Sequence, residues 1–281
     1  VARKYTRNLS VDPSRDGPAM RARGIRKATG EYIYIVYEQD MEMISRDFLK
    51  QLVRPLLEEE QLVASFTREY PHPKQPWVVR FVSYDSIQRD PLIQFLTPSI
   101  DDTIVESRDT YKICYFKKFK IPPVTHMLFR KSFLQNSGTW MQERDYDHDT
   151  IVKLVDFGCH LFAYVPAAGI YHHHAQNFWH FISKRIRNLN NHFFPLYQST
   201  KYRYSDNRRS VAKILLGVVL ANLLIPALVR GLIRFTKYRD WVLLMDPLVT
   251  MAVVDAVLIS FLRDQRGRRA ILDLVGAVFK K

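Results

Sequence analysis

Residues 143–174 read E-R-D-Y-D-H-D-T-I-V-K-L-V-D-F-G-C-H-L-F-A-Y-V-P-A-A-G-I-Y-H-H-H. Three carboxylates, Asp145, Asp147 and Asp149, stand at alternate positions ahead of Ile151, Val152, Leu154 and Val155, whose spacing is helical. Gly158 closes that helix, Leu161 to Val165 reads as a short strand broken by Pro166, and His172, His173 and His174 end the segment. The unpaired amides of a helix start stabilise negative charge. One acid there would serve as a cap. Carboxylates gathered in one small region raise each other's pKa, which is one way to make a general base.

A chain of 281 residues with 47% apolar content can bury a full core, as one large domain or a domain with an appendage. Its formal charge of +14 calls for an anionic partner, and nucleic acid, lipid headgroups and nucleotide diphosphates all qualify. Cys114 and Cys159 make no disulfide framework and lack metal-ligand spacing, so they read as packing residues in a reducing compartment.

Residues 19–28 read as a basic helix carrying Arg21, Arg23, Arg26 and Lys27. After Thr29-Gly30, the continuous apolar run from Glu31 to Tyr37 reads as a central parallel strand. Its carboxyl end carries Glu38 and Asp40, and ligands bind at such strand ends in open α/β sheets. Two carboxylates two residues apart can reach one hard divalent cation. The amphipathic stretch Ile44 to Glu60 suits a crossover helix to a strand at Leu62 to Phe66, completing a βαβ unit. A helix is expected over 78–96, then a loop to Val105. A strand ends at Phe129-Arg130-Lys131, and a basic helix over 177–191 carries Lys184, Arg185 and Arg187. Because side chains alternate along a strand, at most two of the three histidines can share one site.

Taken in order, these motifs resemble the family 2 glycosyltransferases, an inverting group with the GT-A fold, over roughly residues 15 to 195. Gly17-Pro18 to Arg21 and Gly24 match a family segment in which Ala22 stands where Asn is usual. Glu38 and Asp40 occupy the place of its Asp-x-Asp, and Phe129-Arg130-Lys131-Ser132-Phe133 with Gly138 repeats a family strand ending. Tyr146-Asp147-His148-Asp149 stands at the Glu-Asp-x-Asp that opens a helix, with Tyr146 in place of the first acid. Gly158, Val165-Pro166 and Tyr171-His172 follow at the family's places.

The resemblance implies an α/β fold with a Rossmann-like, mixed, mostly parallel sheet flanked by helices. It implies sugar transfer from a nucleotide-sugar donor to an acceptor hydroxyl, with inversion and with Mg or Mn. Asp147 would be the base with Asp149 beside it, and Glu38, Asp40 and His172 the metal ligands. Arg21, Lys184, Arg185 and Arg187 would hold the donor diphosphate, and Thr125, His126 and His174 would face the acceptor. The family's first βαβ portion, which holds the base, is expected upstream of Val1, so the chain is expected to be a fragment that is inactive by itself. The catalytic domain is expected over 1–198 and a basic linker with a membrane-associated region over 199–281.

That region reads as a hydrophobic helical hairpin. Ile214 to Val229 carries no charge, and Leu243 to Leu262 carries only Asp246 and Asp255, which must face protein or headgroups. The turn between them (Arg230, Arg234, Lys237, Arg239) and both outer flanks (Arg208, Arg209; Arg263, Arg266) are basic, so no spanning orientation satisfies the positive-inside bias. The helices are therefore expected to lie in or dip into the cytoplasmic leaflet of the cell membrane, on anionic lipids, with a cell-envelope glycan or lipid-linked acceptor; a soluble helical subdomain or a dimerisation hairpin is the rival reading of the same stretch. Two other classes compete: a catalytically inactive membrane-surface scaffold of the same fold, and a basic nucleic-acid binder. The second lacks any helix-turn-helix, zinc or aromatic-basic RNA signature, so no nucleic acid partner is expected.

Overall fold

The computed structural model describes residues 16–36, 40–85, 91–92, 96–143, 147–194 and 208–279. It is a mixed α/β structure followed by a helical tail. In chain order the first part contains α1 (Gly17–Lys27), β1 (Tyr32–Tyr34), β2 (Met41–Met43), α2 (Phe48–Glu58), β3 (Ala64–Thr67) and α3 (Trp77–Ser83). β4 (Ile104–Ser107), β5 (Lys112–Tyr115), β6 (Thr125–Arg130) and α4 (Lys131–Asn136) come next. α5 (Asp147–Asp156), β7 (Leu161–Tyr164), β8 (Ile170–His172) and α6 (Phe178–Asn188) complete it.

Six strands form one sheet in the order β1-β6-β3-β7-β5-β4, and β2 pairs with β8 in a separate ribbon. Only β3 and β7 run parallel as neighbours; the other pairings in the large sheet are antiparallel. The expected mostly parallel sheet is therefore corrected to a mostly antiparallel one. β6 inserts between β1 and β3, and the stretch expected to be loop as far as Val105 instead begins a hairpin, β4–β5, whose second strand lies against β7. β1 and β3 both run antiparallel to β6, so the crossover through α2 joins two strands of like direction with β6 between them.

The run expected to be a central parallel strand is β1, at the end of the sheet order and antiparallel to its neighbour. Its continuous apolar character has another cause. Ile33 packs into one core, with α1, α4 and α5, while Tyr32 and Tyr34 pack into the other, with α2. Both faces of β1 are covered, and that, not the number of neighbouring strands, is what a two-sided apolar pattern records. The same alternation runs through β6, where Met127 and Phe129 face the first core and Leu128 the second. The sheet is thus sandwiched between two helical layers.

The Phe129-Arg130-Lys131 ending of β6 secures both layers. Helix carboxyl termini leave carbonyls without intrahelical partners. The Arg130 guanidinium donates to the carbonyls of Leu56 and Glu59 at the end of α2, and Lys131 Nζ donates to the Ala28 carbonyl at the end of α1, 3.0 Å away. Basic groups at these ends also match the negative pole of each helix.

Of the helix expected over 78–96, only Val78 to Ser83 is helical, as part of α3; Tyr84, Asp85, Pro91, Leu92 and Leu96 are turn or irregular, and residues 86–90 and 93–95 lie outside the described residues, as does the expected boundary at 198–199. The tail is not a simple hairpin. It contains α7 (Arg208–Asn222), α8 (Ile225–Tyr238), α9 (Asp246–Arg263) and α10 (Gln265–Phe279). α7 and α8 meet at a 75° bend where Leu224 adopts φ 59. The helical stretch Trp241–Arg263 is long and apolar enough to cross a membrane, with mean hydropathy 2.2 over its most apolar 18 residues, 44% of which are buried against the rest of the protein.

The tail packs on the α/β part through a third core. Val78, Phe81 and Val82 of α3 and Phe181 and Ile182 of α6 meet Val242, Leu243, Val249 and Val253. Arg80 Nη2 lies 2.6 Å from Asp240 Oδ1, and the Tyr84 hydroxyl donates to Asp240 Oδ2 at 2.9 Å. Asp246, expected to need protein around it, is fully buried and receives a forked pair of hydrogen bonds from Arg230 at 2.7 and 2.6 Å, with Thr250 Oγ1 donating at 2.8 Å. Asp255 Oδ1 accepts from Asn222 Nδ2 at 3.2 Å.

Removing one partner of a buried ion pair strands the other charge. Asp246→Ala should lower unfolding stability by about 3 kcal/mol, measured by chemical denaturation, and D246A with unchanged stability would show that the pair does not hold the tail together.

Candidate functional site

The ribbon of β2 and β8 sets the site. Its register pairs Met41 with His172, and the amide of His173 donates to the carbonyl of Asp40 at 2.8 Å. Backbone pairing therefore brings Asp40, just ahead of β2, beside the end of β8. Asp40 Oδ1 lies 3.5 Å from His172 Nε2. It is shielded from solvent and has no hydrogen-bond partner among the described residues.

A second strand end arrives from β3. Glu69 bridges to Ile170, with the Ile170 amide donating to Arg68 O at 3.2 Å and the Tyr70 amide donating to Ile170 O at 2.8 Å. The buried Glu69 carboxylate meets two buried imidazoles. Its Oε1 lies 3.0 Å from His172 Nδ1 and 3.4 Å from His126 Nε2. A buried carboxylate is costly unless paired, and the histidines provide the partners. His126 sits on β6 with φ 59, where the pairing with β3 shifts register. A non-glycine residue in that region costs on the order of 1–3 kcal/mol and accompanies functional geometry more often than chance allows.

The three histidines alternate. His172 and His174 are buried, while His173 is exposed and lies 3.7 Å from Glu42 Oε2. His174 packs its ring 4.9 Å from that of His172 and 5.8 Å from that of Phe181 on α6. The buried amide of Gln75 donates to the His172 carbonyl at 3.1 Å, fixing the end of β8 from the other side.

Among the residues singled out in the sequence, Asp40, His126, His172 and His174 thus come together. Glu38 lies outside the described residues. Asp147 and Thr125 open α5 and β6, and their side chains lie outside what the structure describes; Asp149 follows in the first turn of α5. Arg21 is on α1, which packs against the Thr139–Met141 turn that leads towards α5. Lys184 Nζ donates to the His174 carbonyl at 3.2 Å, and Arg185 lies over the Phe181 ring at 5.6 Å, so α6 sets both beside the histidines. Arg187 is exposed. Glu69 was not singled out. Its only sequence signal is an acid two residues beyond a strand, near the place where open sheets bind ligands.

Glu69, His126 and His172 offer donor atoms that all lie within 4.8 Å of one another, and Asp40 adds a carboxylate at the edge of the group. The set fits a divalent cation. Metal-binding histidines commonly give their second ring nitrogen to a carboxylate, as His172 Nδ1 does to Glu69 while its Nε2 faces Asp40. Mixed imidazole and carboxylate donors suit Mn or Zn better than Mg, which prefers oxygen.

Two outcomes follow. Glu69→Gln should weaken Mn binding by roughly 10- to 100-fold, the usual scale for losing an orienting carboxylate, measured by calorimetry; undiminished affinity would remove the metal reading of the cluster. Separately, loss of solvation pushes the His148 imidazole in the first turn of α5 down to about 4. The unfolded chain, with an ordinary value near 6.5, takes up a proton that the folded form refuses. Stability is therefore complete above pH of about 6.5 and drains as pH falls towards about 4. Urea midpoints should drop over that window in the natural chain and less steeply in His148→Gln; identical slopes would acquit His148.

No protein-family model matches the chain, and no curated protein matches it.

Proposed function

We propose that the chain is the metal-side and acceptor-side part of an inverting, nucleotide-sugar-dependent glycosyltransferase, working at a membrane surface. The observation that supports this most is the meeting of Asp40 and His172, from opposite halves of the chain, 3.5 Å apart beside Glu69 and His126. A metal-assisted transfer of a sugar from a diphosphate needs such an assembly of donors at the end of a sheet.

In this reading Asp40 and His172 would hold Mn, with Glu69 orienting His172 and His126 completing the pocket. The ion supplies neutralisation of the departing diphosphate. Lys184 and Arg185 add positive charge beside His174, which lowers the cost of negative charge developing on the leaving group. Asp147, at the start of α5, takes the proton from the acceptor hydroxyl, and a carboxylate placed there gains from the amides of the first turn while it is charged.

Membrane contact is supported by the apolar stretch Trp241–Arg263 and by exposed side chains on either side of the α7–α8 bend, among them Leu223, Ile225, Leu228, Leu232 and Ile233. Apolar groups at a bend with arginine-rich flanks suit helices that sink into a leaflet of anionic lipid.

In the complete protein, Asp147→Asn should abolish transfer while nucleotide-sugar binding persists, and turnover in D147N would take Asp147 out of the base role. Asp40→Ala should weaken Mn-dependent donor binding at least tenfold. A metal requirement unchanged by D40A would break the link between the cluster and the donor.

A further inference from the structure

Glu69 also borders a separate cavity of about 170 Å³. Its walls come from the end of β3, the residues after α3, the turn at Ser99–Asp101, the approach to β6, and the tail helix α8. The space holds several water molecules, which is room for a small ligand such as a single sugar ring.

The chemistry of the lining narrows the ligand. Tyr84, Tyr164 and Tyr238 all face it. The Tyr84 and Tyr238 rings lie 5.0 Å apart, Tyr84 is anchored through its hydroxyl to Asp240, and Tyr164 stacks on Phe66 at 5.3 Å. These are fixed rings, which present apolar faces at low entropic cost. Burial pushes the phenols of Tyr84 and Tyr164 up to about 12, so both keep their protons at any working pH.

The charged residues of the lining are Arg68 and Arg234 against Glu69, Asp85 and Asp101. Both arginines are engaged: Arg234 lies 3.7 Å from Asp85, and Arg68 donates to the Tyr84 carbonyl at 3.0 Å and lies over the Tyr70 ring. With Asp85 set against Arg234 and Glu69 shared by the histidines, Arg68 and Asp101 balance, so the lining has no surplus positive charge to draw a phosphate or an acid. What remains favourable is a neutral ligand with hydroxyls for the carboxylates and C–H faces for the phenols.

We propose that this cavity binds one neutral sugar unit of the acceptor, and that α8, through Arg234 and Tyr238, completes it. The word acceptor rests on the transferase reading; the ligand class rests on the lining alone. Because Glu69 belongs to both the metal cluster and the cavity wall, a sugar bound here lies next to the cluster. The tail is then part of the binding site as well as a membrane contact.

The test uses the complete protein in lipid nanodiscs, with saturation-transfer NMR against methyl glycosides of glucose, galactose, mannose and N-acetylglucosamine. Binding of Mn–UDP is followed in parallel by calorimetry. Tyr238→Ala and Asp101→Asn change exposed side chains, so the fold is retained. At least one glycoside should bind the natural chain and bind each variant at least tenfold more weakly, with Mn–UDP affinity unchanged. No glycoside response in the natural chain, or equal responses in both variants, overturns the proposal whatever Mn–UDP does. A glycoside response that the variants lose, in a complete protein that binds no Mn–UDP and transfers no sugar, upholds the sugar cavity and removes the transferase reading instead.

Discussion

A carboxylate held away from water must find partners, and the arrangement around Glu69 is what that requirement produces. Its Oε1 is shared by His172 and His126, so three chain segments distant in sequence are held to one point. The backbone reinforces this. Residues 68–70 clasp Ile170, β2 clasps β8, and Gln75 holds the His172 carbonyl. His126 accepts a left-handed backbone to reach the same carboxylate. Such local strain persists only where the surroundings over-determine it, and here the pairing on both sides of β6 does so.

The tail depends on a related constraint. Asp246 is buried at the start of α9 and is satisfied by Arg230 and Thr250, which ties α8 to α9. Gly231 makes the approach feasible, since a Cβ there would stand 2.6 Å from the Leu243 carbonyl oxygen. Through Asp240, held by Arg80 and Tyr84, the same tail is joined to α3. A segment that composition marks as membrane-seeking is thereby coupled to the end of the sheet where the histidines lie, with α3 and α6 as the intermediaries. For the proposed transferase this coupling puts the lipid-facing helices and the acceptor side in mechanical contact.

Much of the layout was legible from local chemistry. The helix ahead of Gly158, the strand before Pro166, the basic helix after the histidines and the amphipathic crossover helix all form, because apolar periodicity and glycine or proline punctuation act over a few residues. Strand direction was not legible. An apolar run such as Tyr32–Tyr34 records that both its faces are covered, and coverage is the same for an edge strand packed between helical layers as for a central one. The hairpin at Ile104–Tyr115 was missed because its exposed strand is polar, with Glu106 and Ser107 facing solvent, and so carries no continuous apolar signal.

By itself the sequence pointed to Asp40 beyond an apolar run, to a histidine run whose alternation lets at most two members share a site, and to lysine and arginine on the helix that follows. It also determined that two acids in an apolar tail needed partners. Only the tertiary structure decided that Glu69 is the hub, that His126 turns towards it, and that Arg230 is the partner of Asp246. Those choices depend on pairing between segments far apart in the chain, where burial of a charge selects its counterpart after the backbone has brought the candidates within reach.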